Sequence, residues 1–402
     1  MIHFQNSYKS FLILRKAFEN NPLYLLLNGV GEIFSLFNEQ LSIKIIIFAT
    51  MKDTNDHNNT TACDASRFAL VELHLHVDGS LSADDVMWMA KEEGIDVPSS
   101  REKLRQMLVC PDHCEDLNRY LHCFALPIAV MQQESTIAHS VESLVKRLDA
   151  MRLLYAELRF APQQHQQKGL SQEAVVKAAI TGLRSGLAEC RNGFTANLIV
   201  SCMRGADNEE QNRETVRLAA KYLGEGVCGT DLAGAEALYP TELFRHLFAY
   251  AKSAGVPFTI HAGEAAGVES MRQAILFGTH RIGHGIRSHT EHEMKQMLID
   301  NDVCITLCPS SNLQTKALSD VTQFSDYPLS TFFDDGVSVN ISSDNMTVSD
   351  TSLRKELQRC FDAGILTPQQ AERVVESAIS HAFLSDSEKA VLRQKARERM
   401  KC

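Results

Sequence analysis

Histidine, aspartate and glutamate side chains stand at the ends of four short apolar runs in this 402-residue chain. His74 and His76 lie in VELHLHVDGS, His261 and Glu264 in FTIHAGE, His284 in RIGHG and Asp344 in VSVNISSDN. Three imidazoles and one carboxylate can hold Zn²⁺ with one coordination position open, and a spare Glu beside that position can handle a proton. Such a set equips a hydrolytic metalloenzyme.

Spacing carries most of the weight. Side chains alternate faces along a strand, so His74 and His76 point the same way and can share an ion, while Leu73, Leu75 and Val77 face the other side. HxH alone is more often an ordinary strand with two satisfied or solvated histidines. His261 ends the run VPFTI, and Glu264 follows across Ala262 and Gly263, small residues that let the backbone turn tightly beside a ligand. HxxE alone is also common. All of these residues meet only if their strands are parallel and share one carboxyl edge.

Eight strand-like runs supply such an edge: 69–76, 153–160, 196–203, 226–231, 256–261, 280–284, 303–307 and 337–343. Segments 172–190, 209–223, 240–254 and 291–300 repeat apolar residues at three- and four-residue steps, the helical pattern. Alternation of strand and helix predicts an α/β fold with a parallel sheet, and eight strands predict a (β/α)₈ TIM barrel with its site at the carboxyl ends. The chemistry-bearing residues then fall on strands one, five, six and eight. A closed barrel makes strands one and eight neighbours, although 268 positions (344 − 76) separate His76 from Asp344.

VELHLHVDGS, GTDLAG, HAGE, RIGHG and SSDN, in this order and joined by YAELRFAP and CPSSN, resemble the adenosine deaminase family of metal-dependent hydrolases, in its bacterial form, over residues 68–385. The resemblance implies His74, His76, His261 and Asp344 as ligands of one Zn²⁺ per subunit. It implies Glu264 as the proton shuttle to the purine ring and His284 as the group that orients the attacking water and helps deprotonate it, with Asp344 flanking that water. Asp78 and Gly234 match ribose and ring contacts, and His76 lies beside the substrate as well as on the metal. The segment 82–131 is too long for an ordinary barrel loop. In the family it forms a helical lid, and Tyr120 and Phe124, four apart on one helical face of CEDLNRYLHCFALPIAVMQ, become candidates for its inner wall. The alternative is a helix that simply packs its aromatics on the barrel.

The implied reaction is hydrolytic deamination of adenosine and 2′-deoxyadenosine to inosine and 2′-deoxyinosine, a step of purine salvage. Attack at C6 pushes electrons onto N1, so Glu264 must arrive as a neutral acid, its pKa raised by desolvation. The family commonly carries a second Asp after the metal Asp, at purine N7; here Asn345 stands there. An amide donates to N7 without needing protonation. Asp78 favours a nucleoside, since relatives that act on the free base tend to carry Glu there. No Lys/Arg cluster adjoins the motifs to bind a phosphate, and the net charge of −10 gives no general attraction for anions. Deaminases of adenine, AMP or an N6-substituted adenosine are the alternative readings, as is a non-catalytic zinc-bearing barrel. The last would be expected to have lost Glu264.

Other residues read as structural. Arg159 and Asp231 are expected to form an internal charge pair behind the site. CPDHC at 110–114 lacks the second Cys pair of a zinc finger. His280 and His289 flank the sixth strand without a role, and two helices beyond 365 should close the barrel bottom. Eleven scattered cysteines suit a reducing compartment. No apolar stretch is long enough to span a membrane and basic nucleic-acid signatures are absent, so the expectation is a cytoplasmic enzyme with a small-molecule purine nucleoside partner. A homo-oligomer is compatible with it. Residues 1–67 read as an N-terminal extension to a barrel over 68–402. The polar leader from Met51 makes that residue the expected working start, with 1–50 an upstream extension.

Overall fold

The computed structural model describes residues 63–111, 114 and 117–400. The expectations for residues 1–50 and for the start at Met51 lie outside these residues, as do Asp112 and His113 of CPDHC.

Eight strands run β1 Val71–His76, β2 Tyr155–Phe160, β3 Thr195–Met203, β4 Val227–Ala233, β5 Ile260–Ala262, β6 Arg281–His284, β7 Cys304–Leu307 and β8 Val339–Ile341. They pair in sequence order, always parallel, as two four-stranded sheets. Short bridges complete the ring: Thr230 with Phe258 between β4 and β5, and Leu75 with Asp344 between β1 and the end of β8. The second seam is double, with His76 N donating to Asp344 O at 2.8 Å and Asp344 N to His74 O at 2.9 Å. The result is the expected (β/α)₈ barrel. Its strands read as near-continuous apolar runs because helices cover them outside and side chains fill them inside.

Helices Glu134–Ala150, Gln172–Glu189, Glu209–Lys221, Arg245–Ser253, Val268–Phe277 and His292–Asp300 lie between the strands, within a residue or two of the expected spans where one was predicted. The 240–254 segment differs, opening as a 3₁₀ turn, Thr241–Phe244, before the α-helix. Pro240 enters it in an extended conformation, and the Thr241 hydroxyl is drawn sideways to Arg204 and Ser270. Beyond β8, Pro368–His381 starts on a capping box between Thr367 and Gln370 and is followed by Asp386–Met400. Val375, Ala378, Ile379, Leu392 and Ala396 pack on Ala69, Val71, Leu73 and Tyr155, which closes the bottom.

The insertion after β1 holds helices Ala83–Glu93 and Arg101–Leu108 and then a broken stretch: Leu117–Leu121, a 3₁₀ turn His122–Phe124, and Ala125–Ala129. A single helix over 114–132 does not form. Pro127 has no N–H and its ring crowds the carbonyl four residues back, at Cys123, so the chain tightens there. Upstream of β1, Ala65–Arg67 form a 3₁₀ turn tied to Gln358 and Arg354 of the helix Leu353–Asp362.

Candidate active site

The barrel's last seam positions the first group of residues. Glu72, buried in β1, accepts from His74 N at 3.1 Å, Ser343 N at 2.9 Å and Ser343 Oγ at 2.6 Å. One carboxylate thus fixes both the strand that carries His74 and His76 and the turn that carries Asp344. Burial pushes its pKa up to about 7. Asp344 and His284 both adopt left-handed backbone, with φ of 58° and 63°, although neither is glycine. Such a conformation costs on the order of 1–3 kcal/mol and persists where the surroundings dictate it.

The His74 and His76 Nε2 atoms each lie 3.4 Å from Asp344 Oδ1, and His76 Nε2 lies 3.2 Å from His261 Nε2. His74 is fully buried and neither ring nitrogen has a hydrogen-bond partner. Gly283 makes room for that ring, since a Cβ there would stand 2.8 Å from His74 Cε1. His261 Nδ1 faces Asp231, which is also paired with Arg159 at 3.1 Å, the internal charge pair expected. A carboxylate at Nδ1 keeps the proton there and leaves Nε2 a bare lone pair. Burial holds His74 far below the usual histidine range and His76 at about 3, so both are neutral. Burial alone would raise Asp344, but the imidazoles against it, His74 Nε2 at 3.4 Å first among them, hold it well below the carboxylate range.

Neutral imidazole lone pairs that face one another and an ionised carboxylate are stable together when a cation lies among them. The orphaned nitrogens of His74 and this N/O donor set therefore fit a divalent metal of the zinc type. His74, His261, His284 and Asp344 have ligand atoms within 4.8 Å of one another, and His76 adjoins them, so five side chains converge where four were assigned as ligands. His284 is distinguished by its bonds. Its Nδ1 is 3.0 Å from Asn312 Nδ2, itself held by Tyr327, and its Nε2 is 3.5 Å from Glu264 Oε2. Burial lowers its pKa.

Glu264 stands on a turn built by a residue that sequence reasoning missed. The buried Glu236 carboxylate accepts four successive backbone N–H groups, from Gly263, Glu264, Ala265 and Ala266, at 2.7–3.1 Å. Gly263 takes φ 74° and would drive a Cβ into Met271. Glu264 Oε1 accepts from Thr315 at 3.1 Å. Burial, helped by repulsion from Asp344, raises its pKa to about 8, which favours the neutral acid expected of it.

These groups line one cavity of about 300 Å³ together with Asp78, Tyr120, Phe124, Gly234 and Asn345. All the candidate site residues are thus brought together, His74 just behind the cavity wall. Burial raises Asp78 to about 6. Gly234 ends β4 in a left-handed conformation, φ 103°, as a tight turn there requires. Tyr120 and Phe124 pack with ring centroids 6.1 Å apart, in a cluster with Cys110, Cys114 and Val348. Both aromatics face the cavity and pack, so the two alternatives for them coincide. His289 bonds its own turn at Ile286 O, and His280 lines a different cavity. Glu72, Glu236, Asn312, Thr315 and Ser349 were not singled out. Asn312 lies within CPSSN, but Glu236 bonds only to main chain about thirty residues away, which no side-chain pattern marks.

Residues 69–399 match the family model described as Adenosine deaminase. The chain is 45% identical to an adenosine deaminase of Haemophilus ducreyi over 331 residues, 81% of this chain and 95% of that protein. It is 34% identical to an adenosine deaminase of Enterococcus faecalis over 81% of this chain and 95% of that one. A crystal structure of adenine deaminase from Arthrobacter aurescens superposes with a TM-score of 0.75 at 25% identity, covering 83% of this chain and 100% of that one. On a match that spans the whole barrel, the chain belongs to the adenosine deaminase family.

Proposed function

We propose that this protein deaminates adenosine and 2′-deoxyadenosine hydrolytically, giving inosine or 2′-deoxyinosine and ammonia, with Zn²⁺ held by His74, His76, His261 and Asp344. The observation that carries this reading is a buried Glu264, 3.5 Å from His284 Nε2, that lines one cavity with His76, His261 and Asp344. When bound, the ion lowers the pKa of water and provides a nucleophile at neutral pH. Glu264 transfers its proton to N1 as the water oxygen bonds to C6, and the N1–C6 double-bond electrons move onto N1. His284 Nε2 and the Asp344 carboxylate flank the water and receive its proton. That proton passes to the amine, the C6–N bond breaks with its electron pair leaving on ammonia, and the remaining C6 hydroxyl returns a proton to the Glu264 carboxylate as C6=O forms. In this reading Asp78, which lines the cavity, accepts from a ribose hydroxyl, and the Tyr120–Phe124 wall excludes solvent.

Among the described lining residues Arg204 is the one cation, and both its Nη atoms are committed to Tyr239 O, Thr241 Oγ1 and His261 O. A phosphate at the ribose end meets no cluster of cations there, which favours adenosine over AMP. No helix among the described residues is long and apolar enough to cross a membrane, and the ten described cysteines are all free thiols. Both fit a cytoplasmic enzyme of purine salvage, its barrel one domain over 68–402 and residues 1–67 an extension to it. Amine release measured side by side, ammonia from adenosine, adenine and AMP and methylamine from N6-methyladenosine, tests the substrate. Turnover of any of the last three with none of adenosine would overturn the proposal.

A further inference from the structure

One polar arrangement in the cavity wall is left unused by the reaction above. Asn345 Nδ2 lies 3.0 Å from the Tyr120 hydroxyl, which lies 2.7 Å from Ser349 Oγ. All three side chains are buried. Tyr120 belongs to the insertion after β1, whereas Asn345 and Ser349 lie on the loop after β8, so the contact ties the insertion to the neighbouring loop at the barrel seam. The other end of the amide, Oδ1, has no partner and packs on Gly79, where a Cβ would come within 1.8 Å. Gly79 is therefore required for the amide to sit where it does.

Either hydroxyl of the Tyr120–Ser349 pair can be the donor. If Tyr120 donates to Ser349, it accepts from the Asn345 amide nitrogen and the amide oxygen is left over. If Ser349 donates to Tyr120, the tyrosine proton is free for the amide oxygen, and a half-turn of the amide leaves its N–H without a partner. In both cases one end of a buried amide lacks a protein partner, and a ligand polar group is what would satisfy it. A purine with an acceptor on its five-membered ring selects the second arrangement.

We propose that Tyr120, braced by Ser349, is a positioning residue that turns Asn345 so that its amide N–H meets purine N7. This rests on the aminopurine reading above. Recognition of the base then depends on the insertion being seated, since the group that orients Asn345 comes from it. Tyr120 acts on the substrate through Asn345.

Steady-state kcat/KM for adenosine and for 7-deazaadenosine, which replaces N7 by C–H, tests this in the wild type, Tyr120→Phe, Ser349→Ala, Asn345→Ala and the Tyr120→Phe/Asn345→Ala pair. The wild type should prefer adenosine by roughly five- to a hundred-fold, the span expected for one buried donor left unpaired. Tyr120→Phe should shrink that ratio toward one through loss on adenosine, Ser349→Ala should shrink it in part, and Tyr120→Phe should add nothing once Asn345 is Ala. Equal losses on both substrates in Tyr120→Phe, with the ratio intact, would make the tyrosine a wall and nothing more. Should Tyr120→Phe not fold, an unchanged ratio in Ser349→Ala overturns the proposal by itself. A wild type that releases no ammonia from adenosine defeats the aminopurine reading instead, and a wild type active on both with no preference defeats only this one.

Discussion

Glu264 owes its protonation to its neighbours: burial and the Asp344 charge raise it to about 8, while Thr315 supplies one hydrogen bond. The acid form, present below that pKa, is the one the proposed reaction needs at N1. Activity on adenosine should therefore hold through neutral pH and fall about tenfold per pH unit on the alkaline side. A bound cation would pull that limb to lower pH. Glu264→Gln cannot titrate, so it should lose the limb, retain metal and cut turnover by roughly 10²-fold or more. A Gln variant with near-normal turnover would remove the shuttle role. Asp344→Ala and His284→Ala separate ligand from neighbour: the first should lower metal content by elemental analysis, the second should keep it and lose activity. Equal metal loss would promote His284 to ligand, as its distance to the other donors allows. At this scale the sequence was highly legible, because each of these residues ends an apolar run. Glu72, Thr315 and Asn312 were not, since they act on those residues from elements far away in the chain.

The turn Gly263–Ala266 has its four N–H groups held by one side chain, while Arg287 donates to its Gly263 and Glu264 carbonyls. Four N–H groups converge on Glu236, and the turn has no strand or helix to satisfy them otherwise. Glu236→Gln puts an NH₂ where one carboxylate oxygen accepted, so at least one N–H loses its acceptor, at roughly 1–3 kcal/mol. The expected outcome is a lower Tm, normal metal content and reduced kcat, because Glu264 moves while the ligands stay. Unchanged kcat with a lowered Tm would show that the turn tolerates the loss without displacing the acid. Strands and helices were legible from period and length, and the caps at Ser171 and Thr367 fell where helices begin. The insertion was not, because its aromatic spacing reads as one helix and the break at Pro127 depends on how Cys123 and Phe124 pack below it.

Across the whole molecule, the proposed metal ligands come from β1, β5 and the end of β8, so an ion would clasp both halves of the barrel. Chelation should lower Tm, and restoring the metal to a hundred times its Kd should return about 2.7 kcal/mol of stability. Asp344→Ala should abolish that metal-dependent gain, and a Tm indifferent to chelator would mean that the ion is not held across the seam. The barrel itself was foreseeable from eight alternating units. Its closure depends on bonds between residues about 270 positions apart, such as His76 N to Asp344 O, which no local window contains. That seam also sets an order of events in the making of the protein. His76 leaves the ribosome 268 positions (344 − 76) before Asp344, roughly 13–54 s at ordinary elongation rates. Throughout that interval the nascent chain displays paired imidazoles with no carboxylate to complete them. The full donor set proposed for the metal therefore waits for the last strand of the barrel to be made.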